Sequence, residues 1–251
     1  MPVETVACLG SSTTAGKGQA FNWIQALEKR PQNKHYRFVN FGVGGDLAYN
    51  ALERLSSVAA CHPDKVVILI GGNDILASVF KNARRFFISW KRLPKDPSPE
   101  WFRENLQAIV RGLKEKTSAK IALLSLPQVG ENDLGPPLHA ANSATDRVQQ
   151  QLNTLFHRYG EIIRDLARQE NVRYIPFYEL LNEQIAKSPG RTFPAFRLLP
   201  LYLDTFRYFV LRRSGDEIAK MNGWRFHVDG VHLNSRGGMI LADLVQEFLN
   251  D

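Results

Sequence analysis

The chain has 251 residues, of which 44% are hydrophobic and 23% are charged. This is the composition of an ordinary globular protein, and it excludes a chain that is disordered throughout. The longest clean apolar run, residues 66–70, is far shorter than the ~20 residues that a membrane span needs. The first residues lack the features of a signal peptide, so we expect a cytoplasmic protein. The two cysteines, Cys8 and Cys61, are too few for a disulfide framework and are expected to be core residues.

The net charge of +7 is concentrated in two segments. Residues 75–95 hold six basic residues and no acidic one, while residues 187–225 hold eight basic and three acidic residues. These segments carry +6 and +5, so the rest of the chain carries −4. The basic excess therefore indicates two local basic surfaces and not a polycationic protein.

Strand and helix patterns alternate five times along the chain. The predicted strands are residues 4–9, 37–41, 65–70, 120–126 and 172–176. Helical spacing is found in residues 21–29, 101–116, 141–170 and 235–249, and in a helix after Asp46 with Leu47, Ala51, Leu52 and Leu55 facing inward. The third strand is apolar without alternation, as expected where both faces of a parallel sheet are covered. The alternation predicts an α/β protein with a parallel sheet and helices on both faces, in one domain spanning residues 1–251.

Two segments, residues 80–99 and 188–223, do not fit this alternation and are predicted to be helical insertions. Both are amphipathic and rich in aromatic residues. Their predicted apolar faces consist of Phe80, Ala83, Phe87 and Trp90 in the first, and of Leu199, Tyr202, Leu203, Phe206, Phe209 and Val210 in the second.

Four polar clusters fall on loops at one edge of the predicted sheet. In an open parallel sheet, ligands bind beyond the carboxyl ends of the strands. The clusters are residues 10–16 after the first strand, 42–46 after the second, 71–74 after the third, and 229–232 before the last helix. Their convergence is the main functional signal of this sequence.

Each cluster has an ordinary structural interpretation when it is taken alone. Ser12 in a loop of glycine and threonine is typical of a helix cap or a turn, and Asn73 could cap the helix that follows it. Gly45 is typical of a turn, and Asp229 with His232 is a pair common on any surface. For each residue by itself these alternatives stay open.

Taken together, the clusters are typical of nucleophilic catalysis. A nucleophilic serine needs a base within hydrogen-bond reach, and that base needs an orienting carboxylate. Ser12, His232 and Asp229 can fill these three roles. The backbone N–H groups of Ser12 and Gly45 and the side chain of Asn73 could then donate to the oxyanion of a tetrahedral intermediate.

These clusters, in this order, resemble the conserved blocks of the SGNH hydrolases, also called GDSL esterases and lipases. The first block has Ser11 in place of the usual Asp, and the nucleophile position, Ser12, is intact. The other matches are Gly45 before Asp46, the complete run Gly71-Gly72-Asn73-Asp74, and Asp229 with His232. The resemblance extends from Gly10 to His232. It implies a flavodoxin-like, five-stranded three-layer α/β/α sandwich that hydrolyses esters or thioesters with no metal or other cofactor.

Rival site chemistries fit less well. Gly16-Lys17 resembles part of a phosphate-binding loop, but the spacing from Gly10 is one residue too long and Gly18 stands where Ser or Thr should hold magnesium. Residues 42–47 are likewise a poor dinucleotide-binding motif. His227, Asp229 and His232 could together bind a metal. The alternative is that His227 packs beside the other two residues.

A substrate class follows from placing both insertions over the pocket as a cap. Their apolar faces would line an acyl site and their basic residues would form its rim. This favours medium or long acyl esters, as in a lysophospholipase, lipase or esterase, and contact with an anionic membrane surface. An acyl thioesterase, a carbohydrate acetylesterase and a catalytically silent membrane-surface binding module are the alternatives. Phe87 and Trp90 could stack nucleic-acid bases, but packing within the protein is the commoner use, so we expect no nucleic-acid partner.

Overall fold

The computed structural model describes residues 2–18, 20–132, 144–193, 195 and 198–251. Within these ranges, the side chains of residues 145, 198–202 and 205 are outside the description. The first residues of the predicted helix over 141–170, and Leu199 and Tyr202 of the predicted apolar face in the second insertion, therefore lie outside what can be compared.

A five-stranded, all-parallel sheet forms the centre of the molecule, with strand order β2-β1-β3-β4-β5. Its strands are β1 (Glu4–Gly10), β2 (Tyr36–Gly42), β3 (Lys65–Leu69), β4 (Lys120–Leu124) and β5 (Arg173–Ile175). Every residue of β3 is buried, because this strand lies in the middle of the sheet with both faces covered. The predicted strands and their parallel arrangement are confirmed, although β4 ends two residues earlier than expected.

Twelve α-helices follow or connect these strands in the described ranges, and a short 3-10 turn covers Pro31–Asn33. The helices are α1 (Ser12–Ala15), α2 (Trp23–Glu28), α3 (Ala48–Glu53), α4 (Leu55–Ala59), α5 (Gly72–Val79), α6 (Lys81–Lys91), α7 (Pro99–Lys116), α8 (Ala144–Gln169), α9 (Phe177–Lys187), α10 (Leu198–Phe209), α11 (Gly215–Asn222) and α12 (Ser235–Asn250).

The helices pack in two layers. Helix α12 contacts α2 and α9, while α7 contacts α3, α4 and α8. With the sheet between them, the layers form a three-layer α/β/α sandwich, and the strand order is that of the flavodoxin-like folds. The predicted fold class is therefore confirmed.

Three of the described helices differ from the sequence prediction, and one of them, α1, falls within a segment that was expected to be a loop. The helix expected after Asp46 is interrupted at Arg54, which has φ −110° and ψ 18° and separates α3 from α4. The Arg54 side chain turns back to bond the carbonyl oxygens of Phe41 and Gly10, and this accompanies the break. Helix α9 was not predicted, although Phe177, Leu181 and Ile185 repeat every four residues and are all buried.

The two predicted insertions contain α6, α10 and α11. In α6, Ala83 and Phe87 are buried as predicted, but Trp90 is 53% exposed. In the second segment the predicted apolar face is largely exposed at Leu203, Phe206, Phe209 and Val210. The segments touch each other through the rings of Phe80 and Phe193, whose centroids are 6.1 Å apart. Their description as insertions into a single domain stays a prediction.

Both cysteines lie where the sequence analysis expects them. Cys8 is fully buried in β1 and Cys61 is half-buried against the core, as expected, and both are free thiols. Among the described helices, none combines the length and apolar character that crossing a bilayer requires.

Candidate active site

The sheet brings three of the four polar clusters together. Gly10, at the end of β1, pairs with Gly42 of β2 on one side and with Leu69 of β3 on the other. The chain therefore leaves these three strands side by side, at the position where the strand order reverses. In folds of this kind a ligand-binding crevice forms there.

Ser12, His232 and Asp229 form a continuous hydrogen-bonded chain. The Ser12 Oγ lies 3.1 Å from His232 Nε2, and His232 Nδ1 lies 2.7 Å from Asp229 Oδ2. If Nδ1–H donates to the carboxylate, Nε2 is left as the acceptor for the serine hydroxyl proton. This is the geometry that a serine nucleophile, its base and an orienting carboxylate require.

A tight turn holds Asp229 and His232 in place. Asp229 Oδ1 accepts the backbone N–H groups of Val231, at 2.9 Å, and of His232, at 2.8 Å. The Val228 N–H donates to the His232 carbonyl at 2.7 Å, which closes the two ends of the turn. Because the carboxylate binds its own loop, the Asp-x-x-His spacing fixes the imidazole without help from a distant segment.

The electrostatics of the pair follow from burial and from proximity. Burial alone would raise the pKa of Asp229, but the charge of His232 and the hydrogen bonds just described hold it below its ordinary value. Burial would lower the pKa of His232, but the Asp229 carboxylate raises it above the ordinary value of 6.5. Asp229 is thus ionised at neutral pH and stabilises a proton on His232.

Three hydrogen-bond donors at this edge of the sheet are the candidates for binding an oxyanion. Asn73 Nδ2 donates one hydrogen to the Asp46 carbonyl at 2.8 Å, which orients the amide and leaves its second hydrogen for a ligand. Within the described part of the chain, the backbone N–H groups of Ser12 and Gly45 donate to no other group. Asn73 does not cap its helix, since Gly71 is at the N-cap position of α5.

Asp74, the last residue of the third block, is structural. It is buried, and its Oδ2 accepts the Ala48 N–H at 3.2 Å, which joins the start of α3 to α5. Burial raises the pKa of Asp74 to about 7. This contact helps to hold the second and third blocks in register.

A small cavity of about 30 Å³ lies beside Ser12. Its walls are mostly apolar, and among the described residues they come from the strand ends and the loops after them, α1, α5, α8 and the His232 loop, with none from residues 80–99 or 188–223. The lining residues are Ser11, Ser12, Thr13, Leu69, Gly72, Asn73, Leu76, Leu126, Pro127, Val129, Phe156 and Val231. In the described structure, the prediction that the insertions line an acyl site is therefore not supported.

His227 faces away from the Asp229–His232 pair. Its Nδ1 lies 3.0 Å from Glu131 Oε1 and its Nε2 lies 3.0 Å from the Gln128 carbonyl, so both ring nitrogens are engaged. Glu131 also accepts the backbone N–H groups of residues 225–227. Burial opposes the ionised form, but the His227 contact and these N–H groups lower the pKa of Glu131.

The rival metal site is consequently not assembled. The His227 ring is engaged by Glu131 and Gln128 and not by Asp229 or His232, and no group of three metal-ligating side chains occurs in the ranges that the structure describes.

Sequence reasoning missed three residues around this site. Glu131 braces the segment before Asp229, while Arg54 and Lys91 both bind the Asp46 carboxylate. Local spacing gives no signal for Glu131, which lies 96 residues from His227. Lys91 had been counted only as one of several basic residues on an insertion.

Comparison with known proteins identifies a family and several structural neighbours. The family model described as GDSL-like Lipase/Acylhydrolase matches residues 8–238. An acetylxylan esterase from Geobacillus stearothermophilus superposes with a TM-score of 0.65 at 17% identity, covering 100% of this chain and 95% of its own. Another acetyl xylan esterase gives 0.61 at 20% identity, covering 98% and 99%. A lipase/acylhydrolase from Enterococcus faecalis gives 0.58 at 18% identity, covering 98% and 95%. The search of curated proteins finds no match.

Proposed function

Because the chain belongs to the GDSL-like lipase/acylhydrolase family and is a carboxylic ester hydrolase, we propose that it hydrolyses esters of short acyl groups through an acyl-enzyme on Ser12. The alcohol part of the best-fitting substrate is a carbohydrate or another polyol. The observation that carries the acyl preference is the small cavity beside Ser12. Two of the structural relatives act, by their names, on acetylxylan.

The proposed reaction uses each group in turn. His232 takes the Ser12 hydroxyl proton as Oγ attacks the acyl carbon, and Asp229 stabilises the resulting imidazolium. The Ser12 and Gly45 N–H groups and the Asn73 amide bind the oxyanion. The alcohol leaves with the proton from His232. Water then attacks the acyl-enzyme by the same route and releases the acid.

The pH dependence follows from the state of His232. Only the neutral imidazole can accept the serine proton, and Asp229 raises the pKa of His232 above 6.5. We therefore expect kcat/KM to rise with pH through a single ionisation whose midpoint lies above 6.5. The measurement is a pH profile with an ester whose leaving group does not titrate in that range. A profile that falls as the pH rises through neutrality would contradict the assignment of His232 as base.

The size of the cavity favours short acyl groups. One water molecule needs ~10–15 Å³ of such space, so about 30 Å³ accommodates roughly two heavy atoms. Two heavy atoms correspond to the carbonyl carbon and the methyl group of an acetyl ester. On the walled side of the cavity a longer chain would meet Leu126, Val129 and Phe156, which are buried core residues.

We expect the rate to decrease along a series of nitrophenyl esters from acetyl to octanoyl. Each methylene beyond acetyl exceeds what the cavity holds, so the usual gain of ~0.8 kcal/mol per buried CH₂ is not realised and the chain meets the buried wall residues. The measurement is kcat/KM for each ester at equal leaving-group chemistry. Leu126→Ala removes part of the cavity wall and so enlarges the cavity, which should move the acyl-chain preference toward butyryl.

The matched control is Leu113→Ala. Leu113 is equally buried in α7 but does not line the cavity. It should lower stability by a few kcal/mol, on the order of 2–5, and leave the chain-length preference unchanged. An equal shift in both variants would mean that general loosening of the core, and not the cavity wall, sets the preference.

A second candidate, a lipid-like ester with a medium or long acyl chain, is favoured by the apolar surface of α10. Phe206 and Phe209 are 51% and 59% exposed, and Leu203 and Val210 are similarly exposed. Such a surface fits a lipid substrate or a membrane surface. Arg84, one of the basic residues of the first insertion that were expected at the rim, instead donates to the carbonyl oxygens of Ala77 and Ser78. Octanoyl preference in the ester series would favour this candidate over the first.

A further inference from the structure

The ammonium group of Lys91 binds the loop that carries the second block. Its Nζ donates to the Gly44 carbonyl at 2.6 Å and to Asp46 Oδ1 at 2.9 Å. The Lys91 side chain is only 12% exposed, and Asp46 only 5%. Lys91 is the last residue of α6, so this cation reaches the loop from the first insertion.

The Gly44 carbonyl and the Gly45 N–H belong to one peptide unit. Because that unit is planar and trans, its carbonyl and N–H point in opposite directions. A cation on the Gly44 oxygen therefore fixes the direction of the Gly45 N–H. It also polarises the amide, which makes its N–H a stronger donor toward a negative charge.

Asp46 connects Lys91 to the orientation of the Asn73 side chain. Its carboxylate is held between Lys91 and Arg54, whose Nε lies 2.8 Å from Oδ2. Its backbone carbonyl accepts the Asn73 amide. Displacement of Asp46 would thus move the acceptor that orients Asn73, so two of the three proposed oxyanion donors depend on this network.

The side chain of Trp90, next to Lys91, packs against the same loop. Its ring lies beside Gly45, which has φ +76°, and a Cβ at Gly45 would clash with the indole. The Lys91 Nζ is also 4.2 Å from the centroid of this ring. The end of α6 therefore packs directly against the proposed oxyanion loop, where the positive φ of Gly45 favours glycine.

We infer that Lys91 is a positioning residue for the oxyanion hole, acting through the Gly44–Gly45 peptide and through Asp46. This inference rests on the proposed function. It assigns to the first insertion the role of holding the oxyanion loop, and not that of lining the acyl cavity. Lys91 itself need not touch the substrate.

The test replaces Lys91 by methionine and measures kcat and KM on a nitrophenyl acetate. We expect kcat to fall about tenfold, less than the loss of a whole donor, with KM changed by less than about twofold. The same variant is assayed on the thiono analogue, in which sulfur replaces the carbonyl oxygen. Sulfur is a weak hydrogen-bond acceptor, so the thiono ester gains little from the oxyanion hole and should lose little rate.

The ratio of ester to thiono-ester rates separates positioning from a general structural effect. In Lys91→Met this ratio should fall. Lys95→Met is the matched control, because Lys95 lies in the same insertion and instead contacts Glu104 and the Trp101 ring. It should leave both rates unchanged. Lys91→Arg, which retains the charge, should recover most of the lost kcat.

Two results would overturn the inference. One is a Lys91→Met enzyme with wild-type kcat, and the other is an equal loss on both substrates. If Lys91→Met does not fold, Lys91→Gln is judged by the same ratio. Ser12→Ala is measured in parallel. If Ser12→Ala keeps the wild-type activity, the proposed function is refuted. If the activity depends on Ser12 but the ester to thiono-ester ratio is unchanged in Lys91→Met, only the role of Lys91 is refuted.

Discussion

Ser12→Ala should lower kcat by at least about 10⁴-fold, because the proposed reaction forms the acyl-enzyme on the Ser12 hydroxyl. Ser12 is the hydroxyl within hydrogen-bond distance of His232. The alanine is smaller and Ser12 is only half-buried, so the fold should be retained. The measurement is steady-state turnover of a nitrophenyl acetate, with circular dichroism and thermal unfolding to establish that both proteins fold alike.

Ser11→Ala is the control that makes this result specific. Ser11 precedes Ser12 in the same loop, also borders the cavity and stands where the family pattern has Asp. In the described structure Ser12 makes the contact to the His232 imidazole. Ser11→Ala should therefore keep most of the activity. An inactive Ser11→Ala protein beside an active Ser12→Ala protein would exchange the two assignments.

The second large effect is expected for Asn73→Ala, which should lose on the order of 10²–10³ in kcat, the usual consequence of removing one oxyanion donor. The hydrogen bond to the Asp46 carbonyl is lost as well, so stability should fall by about 1 kcal/mol. Gly71 occupies the N-cap position, and no additional loss of helix capping is expected. The measurement is kcat together with the free energy of unfolding.

Asn105→Ala is the matched control for this substitution. Asn105 is a buried asparagine in α7 whose Nδ2 donates to the Trp101 carbonyl at 2.7 Å. It should show a similar loss of stability with little change in kcat. If both variants lose activity in proportion to stability, Asn73 has no special role in the transition state.

The strands could be predicted from sequence because their signals are local. Buried parallel strands are short apolar runs, and β1 and β3 are of this kind. The flavodoxin-like order followed from the resemblance to a family. Helix α9 could have been found in the same way as the strands, since its buried residues repeat at helical spacing.

The site could be predicted in part for the same reason. Asp229 and His232 lie three residues apart and form one turn, so their pairing is encoded locally. Ser12, Gly45 and Asn73 follow neighbouring strands, and the parallel sheet places them at one edge. Spacing and topology together therefore predicted the proximity of Ser12, His232 and Asp229 that the structure shows.

Contacts between distant side chains could not be predicted from sequence patterns. Lys91 and Asp46 are 45 residues apart, and Glu131 and the His227 N–H are 96 apart. The amphipathic pattern in α10 predicted an apolar face that lines an acyl site, yet Phe206 and Phe209 are exposed. A pattern states which residues share a face of a helix, but the tertiary structure decides whether anything covers that face.

The central claim, that Ser12 is the nucleophile of a serine ester hydrolase, is tested most directly by covalent labelling. A fluorophosphonate forms a bond from phosphorus to the attacking serine oxygen and releases fluoride, and peptide mass spectrometry identifies the modified residue. We predict one adduct, on Ser12, with labelling that is lost in Ser12→Ala and slowed in Asn73→Ala. An adduct on Ser11 or on a residue outside this loop, or an active enzyme that resists labelling, would contradict the account.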